Sequence, residues 1–330
     1  MLNQQIILAS RPQGWVEESN FRLVEQEVPA PRDGQVLTRV RWLSLDPYMR
    51  GRMDGGKSYA APQPVGQVMI GGTVGEVIES RNPQFRPGDW VVGAAGWQQY
   101  EVSDGAGLRK VDTSVVPASA YLGCVGMPGV TAWYGLTRIG QPRPGETVVV
   151  SAAAGAVGSV VGQLAKILGC RAVGIAGGKT KCDHVVQDLG LDACVDYKSG
   201  AFRNDFGAAT PNGIDVVFEN VGGTVFDAAL ARMNAFGRVA VCGLIAGYNG
   251  QDIALKNVRS ILTSRLLVQG FIVSDHLDLW PRALAELAGH VAAGRIRYRE
   301  TIAVGLESAP RAFIGMLKGE NLGKQLVKVA

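Results

Sequence analysis

Between Gly145 and Ala165 the chain reads GETVVVSAAAGAVGSVVGQLA, and from Thr147 to Ala165 no side chain carries a charge. Such a run has three possible fates: a bilayer span, a packed core helix, or a strand, turn and helix in series around a phosphate. Gly155, Gly158 and Gly162, with Ser151, Ser159 and Gln163, interrupt the Leu-rich and Ile-rich surface that lipid requires, which argues against a span. Three successive valines suit a buried central parallel strand, and the small-residue turn after it leads into a helix expected from about Ala156 to Leu168.

That order is the frame of a dinucleotide site. In the G-x-G-x-x-G register the chain supplies Ala153, Gly155 and Gly158. Ala153 relaxes the tight first turn, Gly155 lets backbone N–H groups approach a pyrophosphate, and Gly158 lets the helix pack on the strand, with Ala156 and Val157 between them. By itself the spacing fits close helix–sheet packing equally well. A strand before it, a helix after it and a second strand, RAVGIAG, one βα unit later select phosphate at a helix N-terminus.

The end of that second strand discriminates between the two nicotinamide cofactors. An NAD site wants a carboxylate there for the ribose hydroxyls. The chain offers AGGKTK instead, with Gly178, Lys179 and Lys181 and no acid before Asp183. Ammonium groups attract a 2′-phosphate that a carboxylate would repel, and one charge-assisted hydrogen bond is worth about 1.5–3 kcal/mol. The expected cofactor is NADPH. The alternative is two solvated lysines at the start of a helix.

The chain has 330 residues, more than one core usually organises, so two domains are expected. Its 33 basic and 29 acidic residues are dispersed, and RIRYRE from Arg295 is the densest basic group, so no nucleic-acid surface is expected. The opening MLNQQIILASRPQGW lacks a basic n-region and has a short apolar stretch, the pattern of neither secretory signal nor anchor, so a cytoplasmic location without membrane partners is the expectation. Five cysteines, Cys124, Cys170, Cys182, Cys194 and Cys242, form no close pair in sequence and read as free thiols of a reducing compartment.

Residues 1–122 are short alternating strands broken by Gly and Pro, the pattern of an irregular, mostly antiparallel β domain. From Pro144 the strands TVVVSA, RAVGIAG, ACVDYK, GIDVVFEN, GRVAVCG and RLLVQGF alternate with helical stretches, which predicts a doubly wound parallel sheet over 123–294. A helix with Leu284, Leu287 and Val291 on one face closes it. GRIRYRETIAVG then resumes strand character, so 295–330 are expected to complete the first domain.

Zinc alcohol dehydrogenases share this domain order but need Cys and His in the first domain, and residues 1–123 contain neither. His184, His276 and His290 are scattered in the second. No metal site is expected.

The stretches AAAGAVGSVVGQLAKILGC, DPYMRGRM, VGMPGVTAWYGL, ENVGG, VCG, YNG and KGENLGK together make the chain resemble, over nearly its whole length, the zinc-independent medium-chain reductases: the leukotriene B4 12-hydroxydehydrogenase/prostaglandin reductase family and bacterial NADPH-dependent curcumin reductases. The resemblance implies a GroES-like β domain joined to a Rossmann domain. It implies that Lys181 and Tyr197 hold the 2′-phosphate end, that Met127, Thr131, Asn220, Cys242, Gly243, Phe271, Ile272 and Val273 line the cofactor, and that Asn321 reaches the nicotinamide side. The departure GGKTKCD, with Gly178 and Lys179 where relatives often have Ser-Asp, adds positive charge.

The implied reaction delivers hydride from NADPH to the β-carbon of an α,β-unsaturated ketone or aldehyde. The resulting enolate oxygen needs a hydrogen-bond donor. Without a metal the candidates are Tyr48 in DPYMRG and Tyr248 in AGYNG, the second also touching cofactor, with a ribose hydroxyl as a third; either tyrosine also reads as a lid or packing residue. Two other readings stay open, an NADPH-dependent quinone oxidoreductase and a non-catalytic NADPH-binding protein. RLLVQGF, apolar on both faces and last in the sheet, is an edge that relatives pair across a two-fold axis, so a homodimer is expected.

Overall fold

A computed structural model describes residues 1–329. The chain divides into two compact units, one made of Met1–Leu122, Glu300–Asn321 and the residues from Gln325 on, the other of Gly123–Arg299 with Leu322–Lys324.

The first unit opens with strands β1 (Leu2–Leu8) and β2 (Phe21–Glu27), an antiparallel pair. Next come β3 (Val36–Ser44), the single-turn helix α1 (Tyr48–Arg52), β4 (Thr73–Ser80), β5 (Trp90–Gly93), β6 (Tyr100–Ser103) and β7 (Arg109–Lys110). Alternation along β3 turns Val36, Thr38 and Val40 inward, and Val36, Val77, Phe85 and Val91 form a core there. Asp46-Pro47 ends β3, and Pro47, with its fixed φ, starts α1.

The second unit begins with α2 (Met127–Tyr134). Six strands follow: β8 (Thr147–Ser151), β9 (Arg171–Ala176), β10 (Ala193–Asp196), β11 (Ile214–Glu219), β12 (Met233–Val241) and β13 (Leu267–Gly270). Between them lie α3 (Gly158–Ile167), α4 (Lys179–Asp183), α5 (Phe202–Ala209), α6 (Gly223–Leu230) and α7 (Arg259–Thr263), and α8 (Trp280–Ala292) follows. All pairings are parallel and the spatial order is β10-β9-β8-β11-β12-β13. Counted within this unit the order is 3-2-1-4-5-6, with the switch point between β8 and β11. Val148–Val150 are fully buried, as the uninterrupted apolar run requires, and Val149, Val173, Ile175, Val217, Val239 and Phe226 meet in one core. The α/β class expected from the sequence is therefore the observed one.

The chain then returns to the first unit through β14 (Glu300–Val304), α9 (Ala309–Leu317) and β15 (Lys324–Lys328), the last pairing with β3. Phe313 of α9 packs edge-on against Phe21 and Trp97.

Three details differ from the sequence expectation. Helix α3 starts at Gly158, two residues after Ala156, because Ala152 takes a left-handed conformation (φ 51°) and the chain needs a longer turn before it can wind. Strand character after α8 resumes only at Glu300, since the backbone of Arg297 is held by the Gln163 side chain through two bonds of 2.8 Å instead of a strand neighbour. Strand β13 is limited to Leu267–Gly270, with Arg265 left-handed (φ 49°) before it.

Candidate active site

The turn between β8 and α3 leaves little room for side chains at its two glycines. A Cβ on Gly158 would lie 2.3 Å from the carbonyl oxygen of Ala152, and one on Gly155 would lie 3.2 Å from the same atom. Ala153, which replaces the first glycine of the fingerprint, is fully buried, and it is tolerated because its neighbour on β9 is Gly174: a Cβ there would come within 2.7 Å of the Ala153 methyl. Gly323, far along the chain, closes on this turn, its N–H donating to the Ala154 carbonyl at 2.9 Å and its backbone bridging Gly155 in parallel register. Ala156 and Val157 complete the loop that leads to the α3 N-terminus, whose dipole favours an anion.

At the end of β9 a Cβ on Gly177 would strike Tyr197 at 2.8 Å and Lys198 at 3.0 Å. Gly178, with φ 95°, caps α4, and its N–H donates to Asp196 Oδ1 at 2.8 Å, an oxygen that also accepts from Lys198 N–H at 2.9 Å. One carboxylate thus fastens the loops after β9 and β10 together. Lys181 is pushed below the usual lysine range, first by burial and then by the like charge of Lys198. Two ammonium groups close enough to repel each other, with Lys198 beside the half-exposed ring of Tyr197, suit a dianion. Lys179 faces away: its side chain is 85% exposed and pairs with Asp183 at 2.6 Å. Lys198 is not among the candidates that the sequence suggests, although its place directly after Tyr197 is an available signal.

At the ends of β11, β12 and β13 the remaining candidates gather. Asn220 N–H donates to Ser151 Oγ at 2.7 Å and its Nδ2 donates to the Ser151 carbonyl at 2.8 Å, which ties β11 to β8 across the switch point. Cys242 and Gly243 donate their N–H groups to the carbonyl of Glu219 at 2.8 and 3.2 Å. The Tyr248 hydroxyl accepts the Leu244 N–H at 3.4 Å, and a Cβ added to Gly243 would lie only 3.1 Å from that hydroxyl. Phe271, Ile272 and Val273 follow β13 directly; the Phe271 ring packs against Tyr134 and Phe218, and the Val273 carbonyl accepts the Trp280 indole N–H at 3.2 Å. Met127 opens α2, and Thr131 one turn later donates its hydroxyl to the Met127 carbonyl at 2.7 Å.

Glu219 is a further residue that the sequence does not single out. It is wholly buried; Oε1 accepts the N–H groups of Val221 and Gly222, both at 2.6 Å, while Oε2 is buried with no hydrogen-bond partner. Burial pushes this carboxyl up to about 7, against the opposing pull of the Gly222 and Val221 N–H groups. Cys242 beside it is pushed up to about 12, by burial first and the Glu219 charge second.

Two candidates belong to the first unit. Tyr48 opens α1, and burial, followed by Asp46 and Tyr59, raises its phenol above the ordinary tyrosine value against the pull of Arg52. Asp46 in turn accepts a short hydrogen bond from the Ser44 hydroxyl. Asn321 lies in the turn after α9.

Residues 4–111 match the family described as the N-terminal domain of oxidoreductase, and residues 156–289 match one described as zinc-binding dehydrogenase. The chain is 47% identical over 335 residues to the NADPH-dependent curcumin reductase of Escherichia coli K12, covering 99% of this chain and 97% of that one. It is 41% identical to the NADP-dependent 2-alkenal reductase of Nicotiana tabacum, with 99% and 98% coverage. CurA of Vibrio vulnificus, solved in complex with NADPH, superposes with a TM-score of 0.94 at 45% identity over 99% of both chains. The chain belongs to the medium-chain dehydrogenase/reductase family. One family description names zinc; among the described residues no group of three or more His, Cys, Asp and Glu side chains stands together as a zinc site requires. His184 pairs with Asp188, His276 with the Tyr134 hydroxyl and His290 with Arg295 and Glu286. In this member every strand of the parallel sheet bears its candidate cofactor residues at or beyond the carboxyl end, as ligands of open α/β sheets require.

Proposed function

We propose that the chain is an NADPH-dependent reductase of the carbon–carbon double bond in α,β-unsaturated ketones and aldehydes. The observation that supports it most is the phosphate turn, where Gly155 and Gly158 leave backbone alone in front of α3 while Lys181 and Lys198 stand together one strand away. The relatives named for curcumin and 2-alkenal reduction share nearly the full length of the chain.

Gly155, Ala156, Val157 and Gly158 would receive the pyrophosphate on backbone N–H groups, and Lys181, Lys198 and Tyr197 the 2′-phosphate. Asn220, Cys242, Gly243, Phe271, Ile272, Val273, Met127 and Thr131 would flank the nicotinamide half. When bound, the cofactor supplies a hydride for the β-carbon of the substrate. The charge that then develops on the substrate carbonyl oxygen needs a donor, and Tyr248 or Tyr48 can offer a phenolic O–H; Tyr48 keeps its proton firmly, as a hydrogen-bond donor to an oxyanion must.

The test is NADPH oxidation with enals, enones, diarylheptanoids and quinones in the presence of a chelator. Turnover of the enals and enones but not the quinones is expected. Preference for quinones favours the quinone oxidoreductase alternative, and tight NADPH binding without turnover favours a binding protein.

The quaternary reading is a homodimer. Strand β13 is the free edge of the parallel sheet, and Leu262, Leu267 and Phe236 around it are 78%, 51% and 67% exposed, an apolar edge that a second copy would cover. Light scattering at micromolar concentration should give twice the chain mass; monomer mass refutes it. A cytoplasmic location is the accompanying reading, in which Cys170, Cys182, Cys194 and Cys242 are kept as thiols.

A further inference from the structure

Cys182 and Cys194 form no motif in sequence, yet the fold brings their sulfur atoms to 3.1 Å. Cys182 lies on α4 directly after Lys181, and Cys194 on β10 three residues before Tyr197, so the pair sits where the two elements of the 2′-phosphate end touch. Both thiols are free and partly exposed, and Gly174 of β9 leaves room beside the Cys194 sulfur, since even a Cβ added there would stay 3.4 Å from it.

We propose that Cys182 and Cys194 are a reversible oxidation site whose disulfide weakens binding of the phosphorylated cofactor. The inference rests on Lys181 and Tyr197 as the 2′-phosphate end. The pair is asymmetric: burial raises both thiols, but the bond from the Cys194 thiol to the Cys182 sulfur pulls Cys182 back down and pushes Cys194 further up, so Cys182 is the more readily ionised of the two. Cys182 is therefore the sulfur that attacks and Cys194 the one that resolves. With a hydroperoxide as oxidant, the Cys182 thiolate breaks the O–O bond, becoming a sulfenic acid and releasing an alcohol. Cys194 sulfur then displaces hydroxide, which leaves as water with the Cys194 proton. In sum two thiols and one hydroperoxide give one disulfide, one alcohol and one water, the oxidant taking two electrons.

Closing the gap from 3.1 Å to a disulfide bond draws Cys182 about 1 Å toward β10. Helix α4 is only Lys179–Asp183, one turn, so it moves as a piece and carries Lys181 out of register with the phosphate. The loop tie from Gly178 N–H to Asp196 Oδ1 lies in the same contact and shifts with it. Loss of part of one charge-assisted contact raises the NADPH dissociation constant about fivefold. NADH has no phosphate to lose.

The experiment treats the full-length reduced protein with tert-butyl hydroperoxide, maps thiols by alkylation and peptide mass spectrometry, and measures NADPH and NADH dissociation constants before and after dithiothreitol. A Cys182–Cys194 disulfide with about fivefold weaker NADPH, unchanged NADH, full reversal by thiol and no effect in Cys194→Ser is expected. Recovery of both as free thiols, or Cys182 joined to another cysteine, overturns the site. The disulfide with unaltered NADPH affinity overturns its coupling to the cofactor. Should the reduced protein fail to prefer NADPH over NADH, the reading of the 2′-phosphate end is what fails, and the mapping still decides the disulfide.

Discussion

Replacing Glu219 by Gln tests how the loops at the switch point are held. In Glu219→Gln the Oε1 acceptor for Val221 and Gly222 is retained, while a buried carboxyl pushed to about 7 from an ordinary 4.5 becomes a group that never ionises. The shift is upward, so the folded state holds the proton more tightly than the unfolded chain. The stabilisation this gives is fully present below 4.5 and is lost as pH rises through about 7. From those two values the wild type loses about 2.5 kcal/mol through this group between about pH 5 and pH 8. The Gln variant loses nothing there. Its amide N–H2 does replace an unpartnered Oε2, a pH-independent penalty of about 1–3 kcal/mol. The variant should therefore melt below wild type at about pH 5 and close the difference by pH 8. For a unit of 150–250 residues about 2.5 kcal/mol corresponds to roughly 5–10 °C of relative shift. Thermal melts of both proteins across this range provide the assay, and the difference between the two removes the other titrating groups. Parallel curves with a constant offset would show that Glu219 is ionised throughout, and the desolvation argument would be wrong.

Three further outcomes follow from the site. Lys181→Ala should weaken NADPH about tenfold or more and leave NADH nearly unchanged, since about 1.5–3 kcal/mol of charge-assisted bonding is lost only with the phosphate; equal loss for both cofactors in a binding titration would make Lys181 structural. Tyr248→Phe keeps the ring but removes the hydroxyl that lies beside Gly243, so kcat on a simple enone should fall about 10²-fold with NADPH affinity unchanged. Wild-type kcat beside a crippled Tyr48→Phe enzyme moves the donor to the first unit. Prolonged chelation should leave turnover intact, and stoichiometric zinc whose removal abolished activity would contradict the absence of a converging ligand set among the described residues.

Local patterns carried the architecture. The triple valine of β8 is buried whichever neighbours it meets, because a central parallel strand has no wet face. The spacing of Gly155 and Gly158 marks a turn because a side chain at either would press on the Ala152 backbone, three and six residues earlier. Both facts are short-range, and so is the cationic AGGKTK after β9. They sufficed for the α/β class and for the direction in which a cofactor would be sought.

Partnerships formed across the sheet were another matter. Nothing near Ala153 in the chain reveals that Gly174 will face it and make the alanine tolerable, nor that Gly323 will close on Ala154. Lys179 and Lys181 are equivalent in the sequence, and only the winding of α4 sends one to Asp183 and solvent and the other toward Lys198. Ser151 and Asn220, 69 residues apart, meet because parallel strands align their carboxyl ends, and Cys182 and Cys194, twelve apart, meet because α4 packs against β10. Glu219 reads as an ordinary charged residue at a strand end; its burial is created by the layers packed over β11 and belongs to the tertiary structure alone. Sequence periodicity decides which elements form and which face each one buries, whereas the identity of the group opposite is set by register and crossover, and those are properties of the assembled sheet.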